Sequence, residues 1–212
     1  FGVLLFVKIE KPKQIINSIR PLRKILIRKT IIIAILAASV GYSLMSFIMT
    51  ATPLQIVNVC KLGDSASATV IQWHVIAMFA PSFFTGSIIN LLGNRKVMMM
   101  GVILYIMSIC FGIMGQTIQY FWISLFLCGL GWNFLYVGGS DVIAKSALPE
   151  ERAKVQGVTD FIIFIFVASG SFLAGSLHSN LGWEIMMLYT SIPIFILFLS
   201  IVFINPREIK PT

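Results

Sequence analysis

Fifteen of the sixteen Lys and Arg residues gather at alternate ends of six long apolar stretches, at 30–58, 66–92, 97–116, 119–146, 154–179 and 183–204. Lys8, Lys11, Lys13, Arg20, Arg23, Lys24, Arg28 and Lys29 precede the first. Arg95 and Lys96 separate the second from the third, Lys145, Arg152 and Lys154 mark the junction of the fourth and fifth, and Arg207 and Lys210 follow the sixth. Lys61 is the one base in the other three connections. About 20 apolar residues in a helix span a bilayer, and the cytoplasmic loops of membrane proteins are enriched in Lys and Arg. The pattern therefore predicts an all-α membrane protein with six transmembrane helices. Both ends of the segment are expected in the cytoplasm, with the connections 59–65, 117–118 and 180–182 outside.

Composition points the same way. Hydrophobic residues make up 58% of the chain and charged residues 11%, and the mean hydropathy is +0.93. A soluble domain has about 45–50% apolar and about 25% charged residues. The net charge of +8 sits at span ends, with no soluble domain to carry it, so topology explains it and nucleic acid is not expected as a partner. The basic run Lys8–Lys29 is suited to anionic lipid headgroups. Cys60, Cys110 and Cys128 show no C-x-x-C spacing, which argues against a zinc site or a disulfide framework. No cofactor or metal is expected. Phe1–Val7 is apolar, but Lys8, Glu10 and Lys11 stand where a signal peptide would need small residues. The segment is expected to be the end of a preceding membrane helix, and the chain a piece of a longer protein.

The six stretches differ in polarity. The third and sixth carry few polar side chains and are expected to face lipid. On the first, Tyr42, Ser46 and Thr50 share a face by their i, i+4, i+8 spacing. The second holds Gln72, Trp73, His74 and Pro81, and the fourth holds Trp132, Asn133, Tyr136 and Asp141 among several glycines. The fifth has Asp160 and a run of small residues from Ser169 to Ser176. Polar groups cannot face hydrocarbon cheaply, so these four helices are expected to surround or flank a path. The small pairs Gly170/Ala174 and Ser171/Gly175 suit close helix packing. Pro53 and Pro81 should kink their helices.

Two connections carry motifs. Gly86-Ser-Ile-Ile-Asn90-Leu-Leu-Gly93-Asn-Arg95-Lys96 resembles the G-x-L-x-D-x-x-G-x-R/K-R/K signature of the major facilitator superfamily, with Asn90 in the acidic position. Pro149-Glu-Glu-Arg152-Ala-Lys-Val-Gln-Gly157 is similar to the P-x-x-R-x-x-x-x-G segment of that family. The stretches VIQWHVIAMFAPSFFTG and GLGWNFLYVGG look like a bacterial branch of its permeases. Both motifs lie on the basic side, after the second and fourth spans. The resemblance implies that the chain is the C-terminal six-helix half of a twelve-helix transporter. Residues 8–29 would then be the cytoplasmic linker after an N-terminal six-helix half, 30–204 the membrane domain and 205–212 a cytoplasmic tail. It also implies that the first and fourth spans line a central cavity, the second and fifth flank it and meet the other half, and the third and sixth face lipid. Alternating access of the two halves around a midplane site would then move a small solute across the bacterial inner membrane, with or against a proton gradient.

Within that frame Tyr42, Ser46, Trp132, Asn133 and Tyr136 are candidates for the substrate cavity, with Asn133 as a polar anchor between aromatic walls. His74, Asp141 and Asp160 are candidates for proton passage or gating, although a helix-surface ion pair of Asp141 with Lys145 is the simpler account of that acid. A self-standing six-helix channel or structural membrane protein is the main alternative. An intramembrane enzyme, such as a serine protease using Ser140 and His74, is disfavoured: the two lie at opposite depths and no G-x-S-x-G elbow is present.

Overall fold

A computed structural model describes residues 21–203. The expected end of a preceding helix at Phe1–Val7, residues 8–20 of the basic linker, residue 204 and the tail 205–212 lie outside the described residues. The described part is helical throughout: α1 (Leu22–Leu26), α2 (Lys29–Pro53) running into a π-helical turn (Leu54–Val59), α3 (Asp64–Phe79), α4 (Ser82–Leu92), α5 (Asn94–Met114), α6 (Ile118–Ser146), α7 (Arg152–Tyr189) and α8 (Ser191–Val202). Within the 8–29 segment α1 forms and buries Ile25.

Among the described residues, four helical runs are long and apolar enough to cross a membrane: Lys29–Val59, Asn94–Met114, Ile118–Ser146 and Arg152–Val202. A fifth candidate is the pair α3 and α4, bent by 43°. The bend falls at Ala80–Pro81, where proline cannot donate to the preceding turn. Pro53 acts differently. It stays helical and is followed by the wider π-helical turn.

The fifth and sixth apolar stretches share the run Arg152–Val202, whose 51 residues would reach about 75 Å if straight. It is not straight. Gly182 has φ 75° and ψ 170°, a conformation that glycine adopts without the Cβ penalty other residues meet. Before that break α7 runs parallel to α2: Ser43 Oγ donates to the Phe166 carbonyl at 2.8 Å, Ser46 Oγ meets Ser171 Oγ at 2.5 Å, and His178 Nε2 meets Gln55 Oε1 at 2.8 Å. After it the chain runs back along α5. Trp183 Nε1 donates to the Gly112 carbonyl at 2.7 Å, and Arg95 Nη2 donates to the Val202 carbonyl at 2.7 Å. Lys29 Nζ lies 5.8 Å from the ring centroid of Phe203.

The centre of the bundle is α6, against which α2, α3 and α5 all pack. Its glycines permit this. A Cβ on Gly139 would lie 2.7 Å from the Ala34 carbonyl oxygen, and one on Gly129 would lie 2.7 Å from that of His74. Close backbone approach through small residues is the usual way membrane helices gain contact. Among the run of small residues in α7, Gly170 abuts Ser43, whereas Gly175 meets nothing within 4 Å.

The third and fifth stretches differ in how much of their length is buried within the described residues. α5 buries a stripe from Asn94 to Gly112 against α6, while residues 152–181 of α7 bury only Val155, Thr159, Ile163, Ala174 and His178. Apolarity tells that a helix tolerates lipid; it does not tell which face a glycine-rich neighbour will take. Cys110 follows the same logic, lying exposed on α5 while Cys128 is buried on α6.

Candidate functional site

Trp132 and Tyr136 are one helical turn apart on α6, so their side chains stand on the same face. Their rings stack, with centroids 5.3 Å apart and planes 7° off parallel. Tyr42 of α2 meets both edge-on, at 5.3 Å from each and at 72° and 75°. Phe164 of α7 adds a tilted contact to Tyr42 at 5.8 Å, and Phe79 at the end of α3 meets Trp132 at 5.8 Å. Four helices thus deliver one aromatic cluster. Trp132 is 5% exposed, and its indole Nε1 has no hydrogen-bond partner. A buried indole N–H usually finds one. The arrangement gathers stacked and edge-on aromatic faces around a buried indole donor that no other group engages. Ser46, one turn from Tyr42 on α2, closes the α2–α7 seam with Ser171.

Asn133 belongs elsewhere. Its Nδ2 donates to the Met78 carbonyl at 2.7 Å and to Ser82 Oγ at 2.6 Å, and its Oδ1 accepts from Thr85 Oγ1 at 2.6 Å. All three partners flank the Pro81 bend. The amide therefore satisfies a carbonyl at the interrupted turn and fastens the bent pair to α6; it does not point an anchor into the aromatic cluster.

His74 is fully buried between α3 and α6, with Nδ1 2.7 Å from the Leu125 carbonyl. Because a carbonyl only accepts, Nδ1 carries the proton, and Nε2 is left without a partner. Asp141 pairs with Lys145 Nζ at 2.5 Å and accepts from Asn94 Nδ2 at 2.8 Å. Asp160 accepts from Gln156 Nε2 at 2.8 Å, one turn back on α7.

The loop motifs have local work. Gly93 ends α4 and starts α5 at φ 84°, so glycine is required there. The next residue, Asn94, donates to both the Gly138 carbonyl and Asp141. Arg95 caps the end of α8 through Val202, where a cation also meets the negative end of the helix dipole. Gly86, Asn90 and Lys96 are exposed. Pro149 lies in the turn that precedes α7 rather than in its first helical turn. Arg152 opens the helix, and Gly157 is exposed on it. Glu151, which is buried, accepts from the Leu148 backbone N–H at 3.2 Å.

A second polar assembly was not expected from the sequence. It gathers at the other end of the bundle from Arg95 and Lys145. His178 Nε2 donates to Gln55 Oε1 at 2.8 Å, Gln55 Nε2 donates to Gln116 Oε1 at 2.9 Å, and Gln116 Nε2 donates to Glu184 Oε1 at 3.3 Å. These residues border a cavity of about 700 Å³. Two signals could have found them: His178 and Glu184 are ionisable groups inside apolar stretches, which are costly and mark sites by default.

The sequence model of the Major Facilitator Superfamily matches residues 31–212. Riboflavin transporter RfnT of Brucella anthropi is 42% identical over 173 residues, which are 82% of this chain and 43% of that protein. The uncharacterized MFS-type transporters YdeG and YddS of Bacillus subtilis are 32% and 28% identical over 70% and 75% of this chain, covering 35% and 37% of their own lengths. The chain thus spans less than half the length of each of these relatives.

Proposed function

The chain belongs to the major facilitator superfamily, and on that premise we propose that it is the C-terminal six-helix half of a secondary transporter working by alternating access. It is an integral membrane protein. The six-pass reading is supported by the antiparallel return after Gly182, and by the gathering of Lys29, Arg95, Lys145 and Phe203 at one end of the bundle. In this reading the basic end is cytoplasmic, residues 8–29 link the two halves, and 205–212 form a cytoplasmic tail in a bacterial plasma membrane. The preceding half packs against the outward aromatic rows of α4 and α7, where Phe83, Phe84, Phe161 and Phe172 are exposed.

The solute we assign is a planar heteroaromatic compound of the flavin type. The observation that carries it is the aromatic cluster of Tyr42, Trp132, Tyr136 and Phe164 with its unpartnered indole donor. The likeness to a riboflavin transporter agrees with that chemistry. Ser46, one turn from Tyr42, holds the adjoining α2–α7 seam through Ser171. Asn133 stands apart from the cluster and holds the bend of the second span.

Proton coupling falls to Asp160 in this reading, because His74 is sealed in a helix interface. Asp141 is the latch of the cytoplasmic end, released when Asn94 and Lys145 part from it. The test is riboflavin uptake by the full-length protein in proteoliposomes, with and without an imposed pH gradient. Uptake should occur and should be accelerated by the gradient. Asp160→Asn should remove the acceleration and leave exchange of internal for external riboflavin intact. Absence of riboflavin uptake overturns the substrate assignment, and gradient-driven uptake by Asp160→Asn overturns the role of that carboxylate.

A further inference from the structure

The cavity at the outer end is walled on its apolar side by Leu54, Val59, Leu181 and Ile185. Its volume of about 700 Å³ lies within the range of about 300–1,000 Å³ typical of small-molecule sites. Its position follows from two backbone irregularities. The π-helical turn Leu54–Val59 places Gln55 and Asn58 on its border, and π-turns concentrate at functional sites. The reversal at Gly182 brings Glu184 opposite them.

The polar lining has a direction. His178 is 9% exposed, and its Nε2 hydrogen is committed to Gln55 Oε1. The other ring nitrogen, Nδ1, is therefore an acceptor in the neutral ring, and it has no partner among the described residues. Glu184 uses one carboxylate oxygen for Gln116, so the other remains an acceptor. Ser179 spends its hydroxyl hydrogen on the Ser176 carbonyl at 3.0 Å, which leaves its oxygen lone pairs. Among the described residues no Lys or Arg borders the cavity, although the chain as a whole carries +8. The lining is rich in acceptors, carries one negative charge and offers an anion nothing to pair with.

We propose that this cavity is a second recognition site, separate from the aromatic cluster, for a hydrogen-bond-donating and non-anionic solute group such as a polyol chain. It rests on the transporter reading for its probe, riboflavin, whose ribityl chain is a polyol. The donors of that chain meet His178 Nδ1, Glu184 and Ser179, and the free amide of Asn58 completes the set. The site sits where a solute arriving at the outer face would be held before reaching Tyr42 and Trp132.

The experiment is equilibrium dialysis of three probes against the full-length protein in lipid nanodiscs. Riboflavin should occupy two classes of site. Lumichrome, the ring without the polyol, and riboflavin 5′-phosphate, which is anionic, should occupy one. Asn58→Ala and Glu184→Lys change exposed positions, so the fold should survive both. Each should weaken the second riboflavin class roughly tenfold or more, and Glu184→Lys should admit the phosphate ester to it. Tyr42→Ala should weaken the first class alone. A single riboflavin class in the wild type, or a second class indifferent to both outer variants, overturns the inference. Two classes without any uptake would sink the transport reading and spare this one; uptake with one class does the reverse.

Discussion

Trp132 and Tyr136 stack face to face on one helix, and Tyr42 from another helix closes edge-on over both. Stacking of a planar base on one aromatic side chain is worth about 1–3 kcal/mol, or roughly 5- to 150-fold in affinity. Trp132→Leu should lower riboflavin affinity of the full-length protein within that range, and Tyr136→Leu should do so too. Tyr42→Phe keeps the edge contact and should change affinity by less than about threefold. Flavin fluorescence titration measures all three. Equal losses in Tyr42→Phe and Trp132→Leu would point to hydroxyl contacts instead of ring stacking.

Asn133 gives a contrasting expectation. Asn133→Leu strips partners from Thr85, Ser82 and the Met78 carbonyl at once. A buried group left unsatisfied costs about 1–3 kcal/mol. The variant should unfold at lower temperature in detergent, while riboflavin affinity of the folded fraction changes little. A selective loss of affinity at unchanged stability would move Asn133 into the binding site.

Gly93 and Gly182 both hold positive φ, at 84° and 75°, with nothing within 4 Å of an added Cβ. Alanine at either position therefore meets backbone strain without a clash. Each substitution should destabilise by roughly 1 kcal/mol or somewhat more. Thermal unfolding of the two single variants and the double variant should show additive shifts, because the turns share no partner. Stabilisation by either alanine would contradict the turn geometry.

The ion pair of Asp141 with Lys145 is partly exposed, at 31% and 44%, so it should contribute well under about 1 kcal/mol. Lys145→Ala should leave stability nearly unchanged. Asn94→Ala should cost more, since it removes the bond to the Gly138 carbonyl as well as that to Asp141. Chemical denaturation of both variants orders them, and the reverse order would assign the stability to charge.

Much of the helical layout was legible because it rests on local signals. Apolar length, the proline at 81 and the glycine at 182 mark where helices run, bend and turn back. Within one helix, spacing is enough to place Trp132 over Tyr136 and Asp141 beside Lys145. Between helices it is not. Tyr42 could be placed at a suitable depth, yet its contact with Phe164 depends on α2 and α7 running side by side. The use of Asn133 at the Pro81 bend and the packing of α5 against α6 depend on which neighbours a helix meets. The chain from His178 to Glu184 joins residues separated by 123, 61 and 68 positions at its three links. No local spacing rule reaches that far.

The side-by-side course of α2 and α7 also has a consequence for biosynthesis. Ser43 and Ser46 find their partners only at Phe166 and Ser171, 123 and 125 residues later in the chain. Closing such distant contacts is slow, and it cannot begin before that later segment has left the ribosome. Until then the first helix of this domain waits in the bilayer with its seam open. The fifth apolar stretch is thus the clasp of the assembly order, and a nascent chain halted before it remains an unfinished bundle however well its earlier helices are inserted.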